Sequence, residues 1–257
     1  MSRLEYWNIS WWVAMAFTTG SVIWVINGFF SFLPLVNSDV MISEAGLGWT
    51  AFVGATIFEA GSILGILEAW NREDAADFGW NFYLLHHKNT ANDIGSGHPE
   101  KPSKQWIWFT MDTKYFHELG FLAAFFQLLA ASVFWISGFT AIPGIYTAII
   151  KHTGVLDGTF WTPQVVGGCG FIISSTLIML EAQKAWYKPN VLSLGWQIGF
   201  WNFIGAIGFT LCGALGYGAQ VSSGVSYQSS LSTFWGGWAF LIASVMQWYE
   251  AVNSVVE

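Results

Sequence analysis

Residues 54–69, GATIFEAGSILGILEA, recur in pattern as GGCGFIISSTLIMLEA at 167–182 and as GGWAFLIASVMQWYEA at 236–251. Gly, Phe, Ser and a final Glu-Ala pair keep the same spacing in all three copies. Each copy also ends an apolar stretch that is long enough to cross a bilayer. Because such recurrence is typical of chains built from repeated units, we predict three copies of one membrane unit.

The composition is that of a membrane protein. Hydrophobic residues make up 54% of the 257 residues and charged residues only 10%, whereas soluble domains carry about 25% charged residues. The apolar stretches cover roughly 11–36, 48–70, 119–148, 161–187, 194–217 and 234–252. Since about 20 residues suffice to span the hydrocarbon core, we expect an all-α, polytopic bundle of six transmembrane helices.

The six predicted spans pair into three hairpins within a single membrane domain, 1–257. The expected boundaries are repeat 1 at about 8–71, a cytoplasmic interfacial segment at 72–113, repeat 2 at about 114–187 and repeat 3 at about 190–254. A looser echo in the odd-numbered spans, Gly28-Phe29, Gly138-Phe139 and Gly208-Phe209, supports this pairing. Because each unit crosses twice, all three share one orientation, which predicts pseudo-threefold symmetry about the membrane normal.

The basic residues predict the orientation. Only Lys151 falls on one side of the six-span arrangement, and eight fall on the other: Arg3, Arg72, Lys88, Lys101, Lys104, Lys114, Lys184 and Lys188. The positive-inside rule therefore places both termini and segment 72–113 in the cytoplasm. Aromatic residues near both ends of that segment favour contact with the membrane interface and its lipids: Phe78, Trp80, Phe82, Tyr83, Trp106, Trp108 and Phe109.

The repeated residues share one helix face. On an ideal helix the Gly, Phe, Ser and Glu of each copy fall within an arc of roughly 120°. One interpretation is helix packing, because small residues let membrane helices approach closely. The other is that the faces converge on a central axis, where Ser62, Ser175 and Ser244 line a solute path or cofactor cavity.

Glu68, Glu181 and Glu250 end the even-numbered spans, where the helix macrodipole disfavours negative charge. Arg72 and Lys184 are local partners for the first two, but Glu250 has no basic neighbour in sequence. We expect the carboxylates to bind the free N–H groups that begin the odd-numbered spans and so to clamp hairpin to hairpin. The alternative is a gate or an ion-binding ring.

Glu59 breaks the symmetry, because Ile172 and Leu241 occupy the matching positions. An ionised carboxylate at mid-membrane depth costs about 3 kcal/mol, so it needs a partner or water. We predict a central polar site around Glu59, close to Ser62, that serves proton or cation coupling or contacts a substrate. The alternative is a neutral Glu that is hydrogen-bonded within the bundle.

His117 and Glu118 lie at the cytoplasmic start of the third span, beside Lys114. Either they form a polar access site or they cap and anchor the helix. In the cytoplasmic segment, His86, His87, Asp93 and His98 show no spacing typical of a zinc site.

The sequence lacks the motifs of common catalytic and cofactor sites. No metal, no cofactor, no enzymatic activity and no nucleic-acid partner is expected. Cys169 and Cys212 both lie inside apolar stretches, where a thiol behaves as a small hydrophobe.

The segment Phe58-Glu59-Ala60-Gly61-Ser62, with an aromatic residue and a Ser before the helix end, resembles small YrhK-like two-helix membrane domains. It is also similar to fungal integral membrane proteins that carry such hairpins. The resemblance implies a helical hairpin for each unit and no defined activity. We expect a small-solute or ion channel, transporter or sensor. The alternative is a non-catalytic scaffold or accessory subunit that binds lipid or membrane partner proteins, with homo-oligomers as one form.

Overall fold

A computed structural model describes residues 4–37, 39–86 and 106–253, and these residues are almost entirely helical. In chain order the helices are α1 Ile9–Val36, α2 Glu44–Trp70, α3 Phe78–His86, α4 Leu119–Thr140, α5 Pro143–Ile149, α6 Thr153–Leu156, α7 Thr162–Glu181, α8 Leu194–Gly216 and α9 Ser223–Val252. Two 3-10 turns lie at Arg72–Asp77 and Thr113–His117, and a π-helical turn at Asp157–Trp161 leads into α7.

Five helical stretches of the described chain are long and apolar enough to cross a membrane. They are Ile9–Val36, Ala45–Trp70, Leu119–Thr140, Thr153–Glu181 and Leu194–Gly216. The expectation of an all-α, multi-pass membrane protein is thereby confirmed. The predicted sixth span lies in α9, a helix of 30 residues whose first half is rich in Ser, so it falls short of the other five in hydropathy.

The six long helices form a closed ring. Extensive contacts join α1 to α2, α2 to α4, α4 to α7, α7 to α8 and α8 to α9, and α9 returns to α1. Small residues make this packing close, as expected between membrane helices. A Cβ atom added at Gly167 of α7 would lie only 2.8 Å from the carbonyl oxygen of Ala130 in α4.

Aromatic side chains fill the middle of the ring. Each long helix contributes one buried ring to this cluster, which we term the aromatic plug: Trp24, Phe58, Phe134, Phe171, Phe209 and Phe240. The contacts are mostly edge-to-face, the geometry that aromatic rings favour. The ring centroids of Trp24 and Phe209 are 4.8 Å apart, and those of Phe209 and Phe240 are 5.3 Å apart.

One end of the ring carries the starts of α1, α4 and α8 and the ends of α2, α7 and α9. We call it the basic end, because Arg72, Lys114, Lys184 and Lys188 lie there, whereas Lys151 lies at the other.

At the basic end, Asn71 ties the chain around residue 107 to α2. Its Nδ2 donates to the Ile107 carbonyl at 2.8 Å, and the Ile107 N–H donates to Oδ1 at 2.8 Å. Trp106 of the predicted interfacial segment is buried against Phe78, so this part packs into the bundle, while Phe109 is exposed. Residues 87–105 of that segment, which include His87 and His98, lie outside the described residues.

Candidate functional site

A cavity of about 380 Å³ lies between the aromatic plug and the basic end, and all six long helices line it. Phe17, Phe58, Phe171 and Phe240 form its floor. Its walls carry polar side chains: Ser21, Ser62, Gln127, Ser174, Ser175, Asn202, Ser244 and Gln247. Its mouth is lined by Glu68, Arg72, Glu181 and Glu250. We refer to it as the central cavity.

Ser62, Ser175 and Ser244 all line the central cavity, so the structure brings the three repeated faces together. Each hydroxyl donates to a carbonyl of its own helix, at 2.9, 2.7 and 3.0 Å respectively. These bonds use the single hydroxyl donor and leave lone pairs that can accept a further hydrogen bond. The three residues can therefore serve as acceptors toward a bound molecule.

Ser21 of α1 differs from these serines. It is only 1% exposed and lines the central cavity, yet its Oγ has no hydrogen-bond partner among the described residues. A buried hydroxyl without a partner is unfavourable by about 1–3 kcal/mol. The site therefore presents an unused polar group to whatever fills the cavity.

The strongest electrostatic contact at the mouth joins Arg72 to Glu181. The Arg72 Nη1 atom lies 2.6 Å from the Glu181 Oε1 atom, and the hydrogen bond to Glu181 raises the pKa of Arg72 above its usual value. This pair links the turn after α2 to the end of α7, and so links the first hairpin to the second.

Among the described residues no direct ion pair joins Arg72 to Glu68 or Lys184 to Glu181, although the charge of Glu68 still acts on Arg72. A helical i,i+4 or i,i+3 pair requires both residues to lie on one helix. However, α2 ends at Trp70 and α7 ends at Glu181, so both basic residues lie beyond the helix that carries their predicted partner. Arg72 is thereby free to reach across to the neighbouring hairpin.

Each of the three carboxylates lies beside the first turn of the odd-numbered span in its own hairpin. Ser10 of α1 and Glu68 line the same hollow. A Cβ added at Gly120 of α4 would lie 2.6 Å from Oε1 of Glu181. A Cβ added at Gly195 of α8 would lie 4.0 Å from Oε1 of Glu250. The carboxylates thus reach the predicted helix ends.

The predicted clamp, in which the carboxylates tie hairpin to hairpin by binding free N–H groups, is not formed. Each carboxylate lies beside the first turn of its own hairpin, and Glu181 reaches the neighbouring hairpin through Arg72. The N–H groups at two of those helix ends also have local partners. Asn8 Oδ1 accepts from the Ser10 N–H at 2.9 Å, and Ser193 Oγ accepts from the Trp196 N–H at 3.3 Å. Such N-cap residues satisfy the free donors more directly than a distant Glu can. The tie between hairpins comes from Arg72 instead.

Glu59 does not line the central cavity. Its Oε1 accepts a 2.9 Å hydrogen bond from Ser132, an exposed residue on the outer side of α4, while its Oε2 is buried without a hydrogen-bond partner among the described residues. On the helix wheel Glu59 lies about 140° from the repeated Gly, which turns it away from the axis. The predicted central site around Glu59 and Ser62 is therefore wrong, and Glu59 is hydrogen-bonded at the contact between α2 and α4.

His117 and Glu118 are exposed and do not line the central cavity. Glu118 immediately precedes α4, but its side chain makes no capping hydrogen bond; its carbonyl instead accepts from the Leu122 N–H at 3.0 Å. The 3-10 turn before it is capped by Asp112, which accepts from the Lys114 N–H at 3.0 Å. The predicted polar access site is not formed here.

Trp24, Phe134 and Phe209 complete the aromatic plug, and sequence reasoning missed the first two. The Gly-Phe pairs of the odd-numbered spans predict that Phe29, Phe139 and Phe209 occupy equivalent positions. However, Phe29 packs on Phe234, and Phe139 is 41% exposed. The correct signal is a small residue, an aromatic residue and a Gly at intervals of four: 20, 24 and 28; 130, 134 and 138; 205, 209 and 213.

The described residues contain no group of three or more His, Cys, Asp or Glu that is placed to hold a metal ion. Glu68, Glu181 and Glu250 therefore do not form a ring around one shared ion.

We expect the Arg72–Glu181 pair to stabilise the fold by about 0.5–1 kcal/mol, because the side chains are 61% and 31% exposed and water screens them. A double-mutant cycle with Arg72→Gln and Glu181→Gln, measured by melting in detergent, should give that coupling free energy. The matched cycle with Lys184→Gln and Glu181→Gln should give none. Equal coupling in both cycles would contradict the cross-hairpin pair.

No protein family, curated protein or solved structure matches the chain. The resemblance to YrhK-like hairpins stays a prediction.

Proposed function

We propose that this chain is a six-span membrane protein of three two-helix units around a pseudo-threefold axis, and that it binds a small solute in its central cavity for transport or sensing. The recurrence of the Gly, Phe, Ser and Glu-Ala pattern supports the triplication. The gathering of Ser62, Ser175 and Ser244 around one cavity supports a common axis. The excess of basic residues at the basic end supports a cytoplasmic location for that end and for both termini.

The observation that carries this proposal is a cavity lined by every long helix. Its volume of about 380 Å³ lies within the roughly 300–1,000 Å³ of ligand pockets. Polar groups that converge above an apolar, aromatic floor are also typical of ligand sites. A scaffold held together by dry packing needs no such space.

The aromatic plug favours a carrier or a sensor over an open channel. Its six rings pack against one another beneath the central cavity, on the side away from the basic end. A solute bound in the cavity is therefore exposed to one side only, as in one state of an alternating-access transporter.

Cysteine accessibility tests this proposal. In a variant that lacks Cys169 and Cys212, we expect Ser175→Cys to react with a membrane-impermeant methanethiosulfonate added at the basic end, and not when it is added at the opposite end. The matched control is Ile173→Cys on the same helix, where the native side chain is 45% exposed on the outer face. Lipid should protect that thiol from both sides.

Reaction of Ser175→Cys from neither side would mean a dry bundle and would favour the scaffold alternative. Equal reaction from both sides would contradict the closed plug. Sealed vesicles of known orientation distinguish these outcomes.

A further inference from the structure

We infer that the central cavity selects an organic cation, with its ammonium group between Glu68 and Glu250 and its apolar body on the aromatic floor. This inference rests on the proposed function and specifies the ligand class of that same site.

The charges at the mouth favour a cation. Three carboxylates and one guanidinium line it, and the guanidinium of Arg72 is engaged by Glu181. Neither Glu68 nor Glu250 has a basic group at ion-pair distance within the described chain. The mouth thus carries two carboxylates in excess of its local positive charge.

These two carboxylates face one space. Glu68 and Glu250 line a hollow of about 230 Å³ next to the central cavity, together with Asn8, Ser10 and Gln247. Because both carboxylates line this one hollow, negative charges on them repel each other. A cation between them relieves that repulsion, and the amide and hydroxyl oxygens supply further acceptors for an ammonium group.

The floor fits an organic body better than a hydrated metal ion. Phe58 packs edge-to-face on Phe17 at 5.6 Å and on Phe240 at 5.7 Å, and all three rings line the cavity. Aromatic faces bind alkyl and aryl groups and also attract ammonium ions.

The unpartnered Ser21 hydroxyl independently indicates a ligand. It lies about 16 Å beyond Ser10 along α1, at about 1.5 Å per residue. Because Ser21 is 1% exposed and has no partner among the described residues, a polar atom of the ligand at this depth would complete its hydrogen bonding. The ligand is therefore elongated, with a cationic end at the mouth and a polar atom near the floor.

The opposite choice, an anionic ligand, has less support. Among the described residues that line the central cavity, Arg72 is the single basic side chain, and Glu181 already neutralises it. An anion would have to displace that pair and pass the other two carboxylates.

Charge-selective labelling tests the inference. We compare the cationic trimethylammonium-ethyl and the anionic sulfonato-ethyl methanethiosulfonates at Ser175→Cys, in the background that lacks Cys169 and Cys212. The reference is Leu192→Cys, in a loop at the same end where the native residue is 95% exposed. We expect the cation-to-anion rate ratio at Ser175→Cys to exceed the reference by at least about tenfold, because a cleft with charge of one sign concentrates counterions.

Variants that remove a negative charge and a variant that removes a positive charge distinguish an electrostatic effect from damage to the fold. Glu68→Gln and Glu250→Gln should each lower the ratio toward that of Leu192→Cys, whereas Arg72→Gln should raise it. A general loss of structure would move all three variants in one direction. A ratio at Ser175→Cys equal to or below the reference overturns the cation inference and leaves the cavity intact. Absence of reaction with both reagents overturns the proposed function itself.

Competition tests the organic body. Phenethylammonium should slow labelling of Ser175→Cys, while the neutral 2-phenylethanol and the anionic 3-phenylpropionate should not. Protection by 3-phenylpropionate, or by all three compounds equally, would overturn the cation selectivity. A preference for cationic reagents without protection by phenethylammonium would overturn the aromatic-floor part of the inference.

Discussion

Replacement of Phe209 by Ala is expected to lower the free energy of unfolding by about 3–5 kcal/mol, the range found for buried Phe in well-packed cores. Phe209 is 2% exposed and contacts the rings of Trp24, Phe134 and Phe240. Lipid provides no hydrophobic drive between helices, so packing carries the association. Loss of the Phe209 ring leaves a void and removes its contacts with all three neighbouring rings.

Melting in detergent measures this effect, with Leu211→Ala as the control on the same helix. Leu211 is 42% exposed on the outer surface, so its truncation should cost far less than that of Phe209. Phe209→Ala should also make Ser175→Cys reactive from the opposite end, because the aromatic plug separates the two. Equal melting shifts for Phe209→Ala and Leu211→Ala would mean that the plug does not stabilise the ring.

Gly208→Ala is expected to destabilise the protein by about 1–3 kcal/mol through overpacking. An added Cβ would lie 2.8 Å from the Gly236 Cα atom and 2.8 Å from the Ser232 carbonyl oxygen. Both are backbone atoms of α9, so relief requires the two helices to separate. Close approach of small residues is the main means by which membrane helices associate.

Gly65→Ala is the matched control, since nothing lies within 4 Å of a Cβ added there. Alanine is the better helix former by up to about 1 kcal/mol, so this variant should melt at the same or a higher temperature. If Gly208→Ala lowers the melting temperature and Gly65→Ala does not, the close contact between α8 and α9 is the cause. If both variants raise the melting temperature, helix propensity outweighs overpacking at Gly208.

Periodicity explains how much of the fold was predictable. A residue's angle on a helix is set by its number alone, so the shared face of Ser62, Ser175 and Ser244 followed directly from their spacing. That this face meets at one cavity did not follow, because packing and a lined cavity give the same pattern. The choice depends on tertiary contacts that a single helix does not encode.

The missed features have local causes. Glu59 was assigned to the axis because carboxylates in membranes usually face polar interiors, yet Ser132 of the neighbouring helix gives it a partner near the outer surface. The reach of Arg72 depends on where α2 stops, and helix ends are the least certain part of a sequence-based prediction. The buried aromatic residues of the odd-numbered spans were predicted in the wrong register because Gly-Phe pairs recur at 28–29, 138–139 and 208–209, whereas the buried rings of Trp24 and Phe134 precede the first two pairs.

The closure of α9 onto α1 has a consequence for biogenesis. During synthesis the five more apolar helices emerge first, and each meets the length and hydropathy for membrane insertion by itself. Helix α9 carries the buried polar residues Ser229, Ser232 and Thr233. These side chains are shielded from lipid only when α9 packs against the helices that have already inserted. Until α9 enters, the barrel of helices has an open slot and no enclosed interior. The central cavity is thus complete only after α9 has inserted, and a chain without α9 would not enclose it.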